Sequence, residues 1–152
     1  MQIQALLLSF IGMLVAAAAF QSPSHVSLSS KHSLSRRQQS ALQAVSEVGS
    51  IDEFDKAVKE AAGDSLVIVD YSTTWCGPCK VIYPKYEEFS EQYTDAIFLK
   101  VVGDSSADAS ALMKREGIRS VPAFHYWKGG NRIESVNGAN ADAIEQAIKD
   151  NI

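Results

Sequence analysis

The spacing of apolar residues changes between helical and strand-like periods from residue 50 onward. Helical spacing is found at Ile51, Phe54, Val58 and Ala61/Ala62. Ser50 fits the N-cap of this helix, and Gly63 fits its end. The next run, LVIVDY at residues 66–71, is apolar except for one acid and an aromatic hydroxyl. Such a run is typical of a central strand that is covered on both faces.

The remaining pattern continues this alternation of strands and helices. It predicts a helix over residues 76–93, a strand over 96–102, a helix over 107–116, a strand over 122–127, a turn at 128–131, a strand over 132–136 and a helix over 141–148. Pro84 lies inside the first of these helices, where its missing N–H predicts a kink. The order of elements predicts an α/β fold with a mixed central β-sheet and helices on both faces.

The first 45 residues have the composition of targeting segments. Residues 5–19 are almost wholly apolar, are too short to span a bilayer comfortably and close on the small residues Ala17, Ala18 and Ala19, so residues 1–19 are predicted to be a signal peptide. Residues 20–45 are rich in serine and contain Lys31, Arg36 and Arg37 but no acidic residue. This composition is typical of a disordered, transit-peptide-like segment. A disordered linker on a secreted protein is the alternative.

The two targeting segments, with Phe20 at their junction, resemble the bipartite presequences of algae whose plastids lie inside extra membranes. That resemblance implies import into the plastid stroma. The secretory pathway and the mitochondrion are the alternatives, because each half of the presequence alone would permit one of them.

Residues 46–152 have the size of one domain, about 105 residues with room for a single core. They carry 11 basic and 18 acidic residues, which gives a formal charge of −7. An acidic surface argues against nucleic acid as a partner, because affinity for nucleic acid comes largely from neutralised phosphates. The pattern after Ser46 contains no membrane-spanning helix and no internal repeat, and we expect a monomer.

Both cysteines of the chain lie in the segment WCGPCK at residues 75–80. Zinc normally needs four ligands, and outside the presequence only His125 could join the two thiols, so no metal site is expected. A structural disulfide would close a loop too small to add much stability. A pair of inert core thiols would not need glycine and proline between the sulfurs.

Thiol–disulfide exchange explains each residue of this segment. Cys76 lies between a predicted strand and a predicted helix, and the N-terminus of a helix favours the thiolate over the thiol. Pro78 fits the first helical turn, and Gly77 would leave the first sulfur uncovered for a partner protein. Cys79 falls on the same helix face and deeper, so it could resolve a mixed disulfide intramolecularly. We therefore expect an exposed, ionised Cys76 and a buried Cys79.

Two segments, VDYSTTWCGPCK at residues 69–80 and GIRSVPAF at residues 117–124, resemble the signatures of the thioredoxin family. The resemblance covers residues 46–152 and implies a thioredoxin fold. It also implies a protein disulfide reductase in which Cys76 is the nucleophile and Cys79 the resolving cysteine. No bound cofactor is implied: electrons would come from a thioredoxin reductase, which in a plastid is ferredoxin-dependent, and would pass to disulfide-containing target proteins.

The resemblance also implies roles for residues around the cysteines. Asp70 matches the buried acid of the family and would accept the proton of Cys79, because desolvation raises the pKa of a buried carboxyl. Lys100 matches the lysine that faces this acid. Pro122 matches the cis-proline, and the backbone of Val121 would bind an extended substrate segment. The implied docking patch consists of Trp75, Gly77, Pro78, Gly138 and Ala139.

Some residues depart from the family pattern or have ordinary structural interpretations. Ser72 occupies a position where many bacterial and plastid members have tryptophan, and residues 102–104 (VGD) replace an acid-rich strand end away from the sulfurs. Both departures limit the assignment of a subtype. His125 is interpreted as a packed or surface histidine. A series of aromatic residues at helical spacing is interpreted as packing surface: Tyr83, Tyr86, Phe89 and Tyr93.

Two other functions remain as alternatives. An isomerase-like oxidoreductase of the secretory pathway is compatible with the signal peptide, but such proteins usually place histidine before the second cysteine, where this chain has Pro78. A non-catalytic partner subunit would use the docking surface alone. It would not need Asp70, both cysteines and Pro122 together.

Overall fold

The computed structural model describes residues 45–61 and 63–152. The predicted signal peptide, nearly all of the predicted transit-like segment and the predicted helical position Ala62 lie outside the described residues and stay predictions. The elements, in chain order, are β1 (Val45–Glu47), α1 (Ile51–Lys59), β2 (Val67–Ser72), α2 (Gly77–Gln92), β3 (Ile97–Val102), α3 (Ala107–Arg115), β4 (Ala123–Lys128), β5 (Asn131–Asn137) and α4 (Ala141–Asn151).

The strands form one mixed sheet in the order β1-β3-β2-β4-β5. β1 and β2 are both parallel to β3, whereas β4 runs antiparallel to β2 and to β5. Every residue of β2 is buried, as the run of apolar positions predicted. β1 is an element that the apolar pattern did not predict, and it begins at Val45.

Helices cover both faces of the sheet, so the predicted α/β architecture is confirmed. On one face, α2 and α4 pack against the sheet through a cluster that includes Tyr86, Phe124 and Ile144. On the other face, α1 and α3 pack through Phe54 and Leu112. Each helix therefore buries one apolar side while its other side remains in water.

Polar side chains fix where the helices begin. The Ser50 hydroxyl accepts the Glu53 N–H at the start of α1, as predicted, and the Glu53 carboxylate accepts the Gly49 N–H at 3.0 Å. α1 ends at Lys59 and not at the predicted Gly63, because Glu60 already forms the C-cap. No helix within the described residues is long and apolar enough to cross a membrane.

Candidate active site

The two cysteines lie where the chain leaves β2 and enters α2. Cys76 is the N-cap residue of α2, and its Sγ accepts a hydrogen bond from the Cys79 N–H at 3.2 Å. The two sulfurs form a disulfide with an S–S distance of 2.03 Å, so this is the oxidised form. Pro78 lies in the first helical turn, where its missing N–H is not needed. In the reduced form, this helix N-terminus would stabilise a Cys76 thiolate.

The exposure of the cysteines differs from the prediction. Cys76 is 3 % exposed and Cys79 is 4 % exposed, so the expected contrast between an exposed and a buried cysteine is wrong for the oxidised form. In this form Cys76 is bonded to Cys79, which lies inside α2 and is itself buried. The adjacent Trp75 is 73 % exposed, and a Cβ added at Gly77 would meet no atom within 4 Å. The surface beside the disulfide is therefore open to a partner.

The sheet topology places the loop before β4 at the same end as the cysteines. The Val121–Pro122 peptide bond is cis, as the family resemblance implied. Ala123, which follows it, pairs with Tyr71 near the end of β2. Gly138, which follows β5, donates its N–H to the Pro122 carbonyl at 2.8 Å. Three loops therefore meet at the same end of the strands: the loop before α2, the loop before β4 and the loop after β5. Of the residues implied for the docking patch, Pro78 and Ala139 are exposed and Val121 is half-buried.

Asp70 lies behind the disulfide on the central strand β2. Its side chain is buried, and burial raises the pKa of the carboxyl to about 7, although the neighbouring Lys100 lowers it. Its Oδ1 atom is buried without a hydrogen-bond partner. A cavity of about 350 Å³ is lined by both Asp70 and Cys79. The acid and the second cysteine therefore line the same partly open cavity.

Lys100 faces Asp70 across the sheet, but the two side chains do not form an ion pair. The two residues are register partners in the parallel pairing of β2 and β3. The Lys100 Nζ atom lies 3.5 Å from the centroid of the Tyr83 ring, and the ion pairs recorded for residues 45–61 and 63–152 do not include one with Asp70. Lys100 therefore acts on Asp70 through space.

Sequence reasoning missed two contributors to this site. Tyr83 packs against the core cluster, as its interpretation as helix-packing surface predicted, but it also lines the cavity together with Cys79. The signal was available, because residues four apart on a helix share a face. Asp104 was placed away from the sulfurs, but its carboxylate accepts hydrogen bonds from the N–H and the hydroxyl of Thr74, which lies two residues before Cys76.

The Asp104 carboxylate fixes the loop that carries the cysteines. Its two oxygens lie 2.9 Å and 3.1 Å from the Thr74 nitrogen. The Thr74 hydroxyl and N–H lower the pKa of Asp104, so the carboxylate is charged and its hydrogen bonds are charge-assisted. The loop before α2 is therefore tied to the end of β3.

His125 is a packed residue, in agreement with its sequence interpretation. Its ring makes an edge contact with Tyr71, with centroids 4.9 Å apart, and burial lowers the pKa of the imidazole to about 4. Within the part of the chain that the structure describes, no group of three or more histidine, cysteine or acidic side chains could hold a metal ion.

A disulfide at the start of a helix, beside a cis-proline loop and in front of a buried acid, is the arrangement of a thiol–disulfide oxidoreductase. The thioredoxin family model matches residues 45–150 of the chain. Thioredoxin-2 of Saccharomyces cerevisiae is 44% identical over 108 residues, which are 71% of this chain and 99% of that protein. The chain belongs to the thioredoxin family.

Plastid relatives and their structures match as well. Chloroplastic thioredoxin F2 of Arabidopsis thaliana is 44% identical over 106 residues, 67% of this chain and 56% of that protein. A crystal structure of a complex of ferredoxin:thioredoxin reductase with thioredoxin f2 contains a chain that matches with a TM-score of 0.64 and 43% identity, covering 70% of this chain and 93% of that one. The predicted thioredoxin fold is confirmed.

The activity follows from the family and from the pair of cysteines. Thioredoxins are protein-disulfide oxidoreductases, and the Cys76–Cys79 disulfide is the redox pair that such an enzyme needs. The protein is a disulfide reductase that acts on target proteins by dithiol–disulfide exchange.

Proposed function

We propose that this reductase works in a plastid, where Cys76 attacks the disulfides of target proteins and Cys79 releases the targets in reduced form. The observation that carries the assignment of roles is the hydrogen bond from the Cys79 N–H to the Cys76 sulfur at the start of α2. A donor aimed at one sulfur of the pair stabilises negative charge on that sulfur. Cys76 is therefore the thiolate and the nucleophile.

In the first step, the Cys76 thiolate attacks one sulfur of a target disulfide. A bond forms between Cys76 and that sulfur, the S–S bond of the target breaks, and the second target sulfur leaves as a thiolate that takes up a proton. The exposed Trp75, the open space at Gly77 and the exposed Pro78 support docking of a target against this surface. The Val121 backbone, beside the cis bond, would bind an extended segment of the target.

In the second step, Cys79 loses its proton to Asp70 and attacks the Cys76 sulfur. The mixed disulfide breaks, the target sulfur leaves as a thiolate that takes up a proton, and the Cys76–Cys79 disulfide remains. The shared cavity and the pKa of Asp70, which burial raises to about 7, support this role, because a base is most effective when its pKa lies near the working pH. The positive charge of Lys100 lowers the pKa of Asp70 through space.

The electrons come from a second protein, and the chain needs no bound cofactor of its own. Two electrons and two protons convert the Cys76–Cys79 disulfide back to the dithiol in each cycle. Thioredoxin f2 has been crystallised with ferredoxin:thioredoxin reductase, and a chain of that complex matches this protein with 43% identity. This match and the presequence composition support a ferredoxin-dependent reductase in the stroma of a complex algal plastid.

Trapping experiments test the roles of the two cysteines. Cys79→Ser should accumulate a covalent complex with a disulfide-bonded target, because the resolving thiol is missing, whereas Cys76→Ser should trap none and should not reduce insulin in the presence of dithiothreitol. Asp70→Asn should still form the mixed disulfide but release the target more slowly. Trapping through Cys79 in the Cys76→Ser variant would contradict the assignment.

Localisation and electron source need separate measurements. A fluorescent fusion of residues 1–50 should enter the plastid stroma of an alga with complex plastids; retention in the secretory pathway would contradict the stromal proposal. The purified protein, from which residues 1–44 have been removed, should be reduced faster by a ferredoxin-dependent thioredoxin reductase than by an NADPH-dependent one. The reverse preference would contradict the proposed electron source.

The mass of the purified protein in solution should be that of a monomer.

A further inference from the structure

A tyrosine on α2 determines where the side chain of Lys100 lies. We propose that Tyr83 is a positioning residue, which holds the Lys100 ammonium over its ring and so keeps it beside the Asp70 carboxyl without an ion pair. This inference rests on the proposed role of Asp70 as proton acceptor. It adds a residue that acts on the reaction through two others and touches no reacting atom.

The positions of the three residues make this arrangement possible. Asp70 and Lys100 are register partners on neighbouring strands, so their side chains leave the sheet on the same face. Tyr83 lies on the helix that covers this face, four residues after Cys79. Asp70, Lys100, Tyr83 and Cys79 all line the cavity of about 350 Å³. The Lys100 Nζ atom lies 3.5 Å from the Tyr83 ring centroid, which is close for a cation–π contact.

An ion pair with Asp70 is the arrangement that Tyr83 prevents. The Asp70 Oδ1 atom is buried and accepts no hydrogen bond, so it is an acceptor without a donor in the same cavity as an ammonium group. A contact between the two charges would stabilise the carboxylate strongly, because the Asp70 side chain is buried. The ring offers the ammonium a competing site, because its negative π-face attracts a cation.

The other charged groups around this contact lie nearer the surface. Glu47 on β1 is also a register partner of Lys100, but it is exposed, and an ion pair in water contributes little. On α2, Lys80 lines the cavity and is exposed, and Glu87 is exposed as well. Tyr86, also on α2, has its hydroxyl between two backbone carbonyls. β4 presents the apolar Phe124 beside Asp70. Asp70 is therefore the only buried carboxyl among these described groups.

The Tyr83 hydroxyl carries no charge at neutral pH. Burial raises the pKa of Tyr83 to about 12, and so does the nearby Glu87 carboxylate. The ring next to Lys100 is therefore that of an uncharged phenol, and the contact between them is a cation–π contact and not an ion pair.

Removing the Tyr83 ring should lower the pKa of Asp70. Without it, the Lys100 ammonium can turn to the unpaired Asp70 oxygen, and the pKa of Asp70 should fall. A weaker base at this position would slow the loss of the Cys79 proton. This decrease in the Asp70 pKa should disappear when Lys100 is replaced. A change caused only by water entering the cavity would not depend on Lys100.

A double-mutant cycle on the oxidised protein tests the inference. The readout is the carbon-13 chemical shift of the Asp70 carboxyl as a function of pH, in the wild type, Tyr83→Phe, Tyr83→Leu, Lys100→Met and the Tyr83→Leu, Lys100→Met double variant. Tyr83→Leu should lower the pKa of Asp70 by about one unit or more, and Tyr83→Phe, which keeps the ring, by less than about 0.3 units. In the Lys100→Met background, Tyr83→Leu should change the pKa by less than about 0.3 units.

Two results would overturn the inference. An unchanged Asp70 pKa in Tyr83→Leu would mean that the ring does not hold the ammonium away from the acid. An equal decrease with and without Lys100 would mean that the ring only excludes water. Tyr83 is half-buried at the border of the core cluster, so a far-ultraviolet circular dichroism spectrum of each variant checks that the fold is unchanged. The titration does not depend on turnover, so a failure of the proposed role of Asp70 would appear separately, as normal target release by Asp70→Asn.

Discussion

Gly138 donates its backbone N–H to the carbonyl of Pro122 at 2.8 Å, which ties the loop after β5 to the cis-proline loop before β4. The two loops adjoin paired strands, because Ala123 at the start of β4 is the register partner of Asn137 at the end of β5. The hydrogen bond therefore closes the gap between the two strand ends beside the disulfide. It fixes two parts of the docking surface relative to each other.

Gly138→Ala should destabilise the protein without a steric clash. Gly138 has a φ of 90°, which side-chain-bearing residues rarely adopt, whereas an added Cβ would meet no atom within 4 Å. The cost is therefore one of backbone conformation, about 1–2 kcal/mol in the free energy of unfolding measured with urea. Gly77→Ala is the matched control, because its Cβ also meets nothing and its φ is not positive. Equal losses in the two variants would refute this account.

Asp70→Asn should stabilise the protein increasingly as the pH rises. The pKa of Asp70 is about 7 in the folded protein and near 3.8 in the unfolded chain, so the carboxyl contributes stability below pH 4 and loses it as the pH rises through 7. Asparagine does not titrate. The variant should therefore gain over the wild type between pH 4 and 8, towards roughly 4 kcal/mol at the upper end.

Urea unfolding at several pH values measures this gain, and the exposed Asp95→Asn is the control, for which we expect no trend. His125 acts in the opposite direction: burial depresses its folded pKa to about 4, so its contribution is lost as the pH falls from about 6.5 to 4. The Asp70→Asn variant should reveal this acid-side loss, which Asp70 masks in the wild type. A gain that is independent of pH would contradict the burial argument.

Asp104→Ala should loosen the loop that carries the cysteines. The variant removes the carboxylate that accepts the N–H and the hydroxyl of Thr74. We expect the Thr74 amide to exchange with solvent about tenfold faster, as followed by NMR. The same substitution at the exposed Asp95, also in a turn, should leave the Thr74 amide unchanged. Unaltered exchange in Asp104→Ala would show that the loop is held by other contacts.

Tyr86→Phe should cost about 1–2 kcal/mol of folding free energy, because it removes a buried hydroxyl and its hydrogen bond. The hydroxyl lies 2.9 Å from the carbonyl oxygens of both Ile68 and Leu99, on two neighbouring strands, so its single proton joins β2 to β3. Tyr93→Phe is the matched control, since the Tyr93 hydroxyl bonds to Glu145 at the surface. Thermal or urea unfolding should show little change for Tyr93→Phe, and comparable losses would contradict the argument.

Much of the fold was predictable because its signals are local. The apolar run that forms β2, the Ser50 cap and the cysteines at the start of α2 all depend on residues a few positions apart. β1 was missed because three residues, of which only one is apolar, have no measurable period. The bond from Thr74 to Asp104 joins residues 30 positions apart, and only the pairing of β2 with β3 brings them together.

The site shows the same division between local and long-range information. The positions of the cysteines and the raised pKa of Asp70 followed from motif spacing and from burial in a strand. The direction of the Lys100 side chain could not be predicted, because the sequence does not tell which of several neighbours a long lysine side chain will contact. The burial of Cys76 was not predicted either, because the sequence predicts the start of the helix but not how closely the surrounding residues cover one sulfur.

The short strand at the edge of the sheet limits how far the N-terminus can be trimmed. Val45 pairs with Phe98 and Glu47 with Lys100, and the Val48 N–H donates to the Lys100 carbonyl at 2.8 Å. A peptidase that cut beyond Val45 would strip the outer hydrogen-bonding partner from β3, the strand that carries the lysine facing the buried acid. A protein trimmed past this strand would therefore have an unpaired edge at β3, the strand that pairs with the one carrying Asp70.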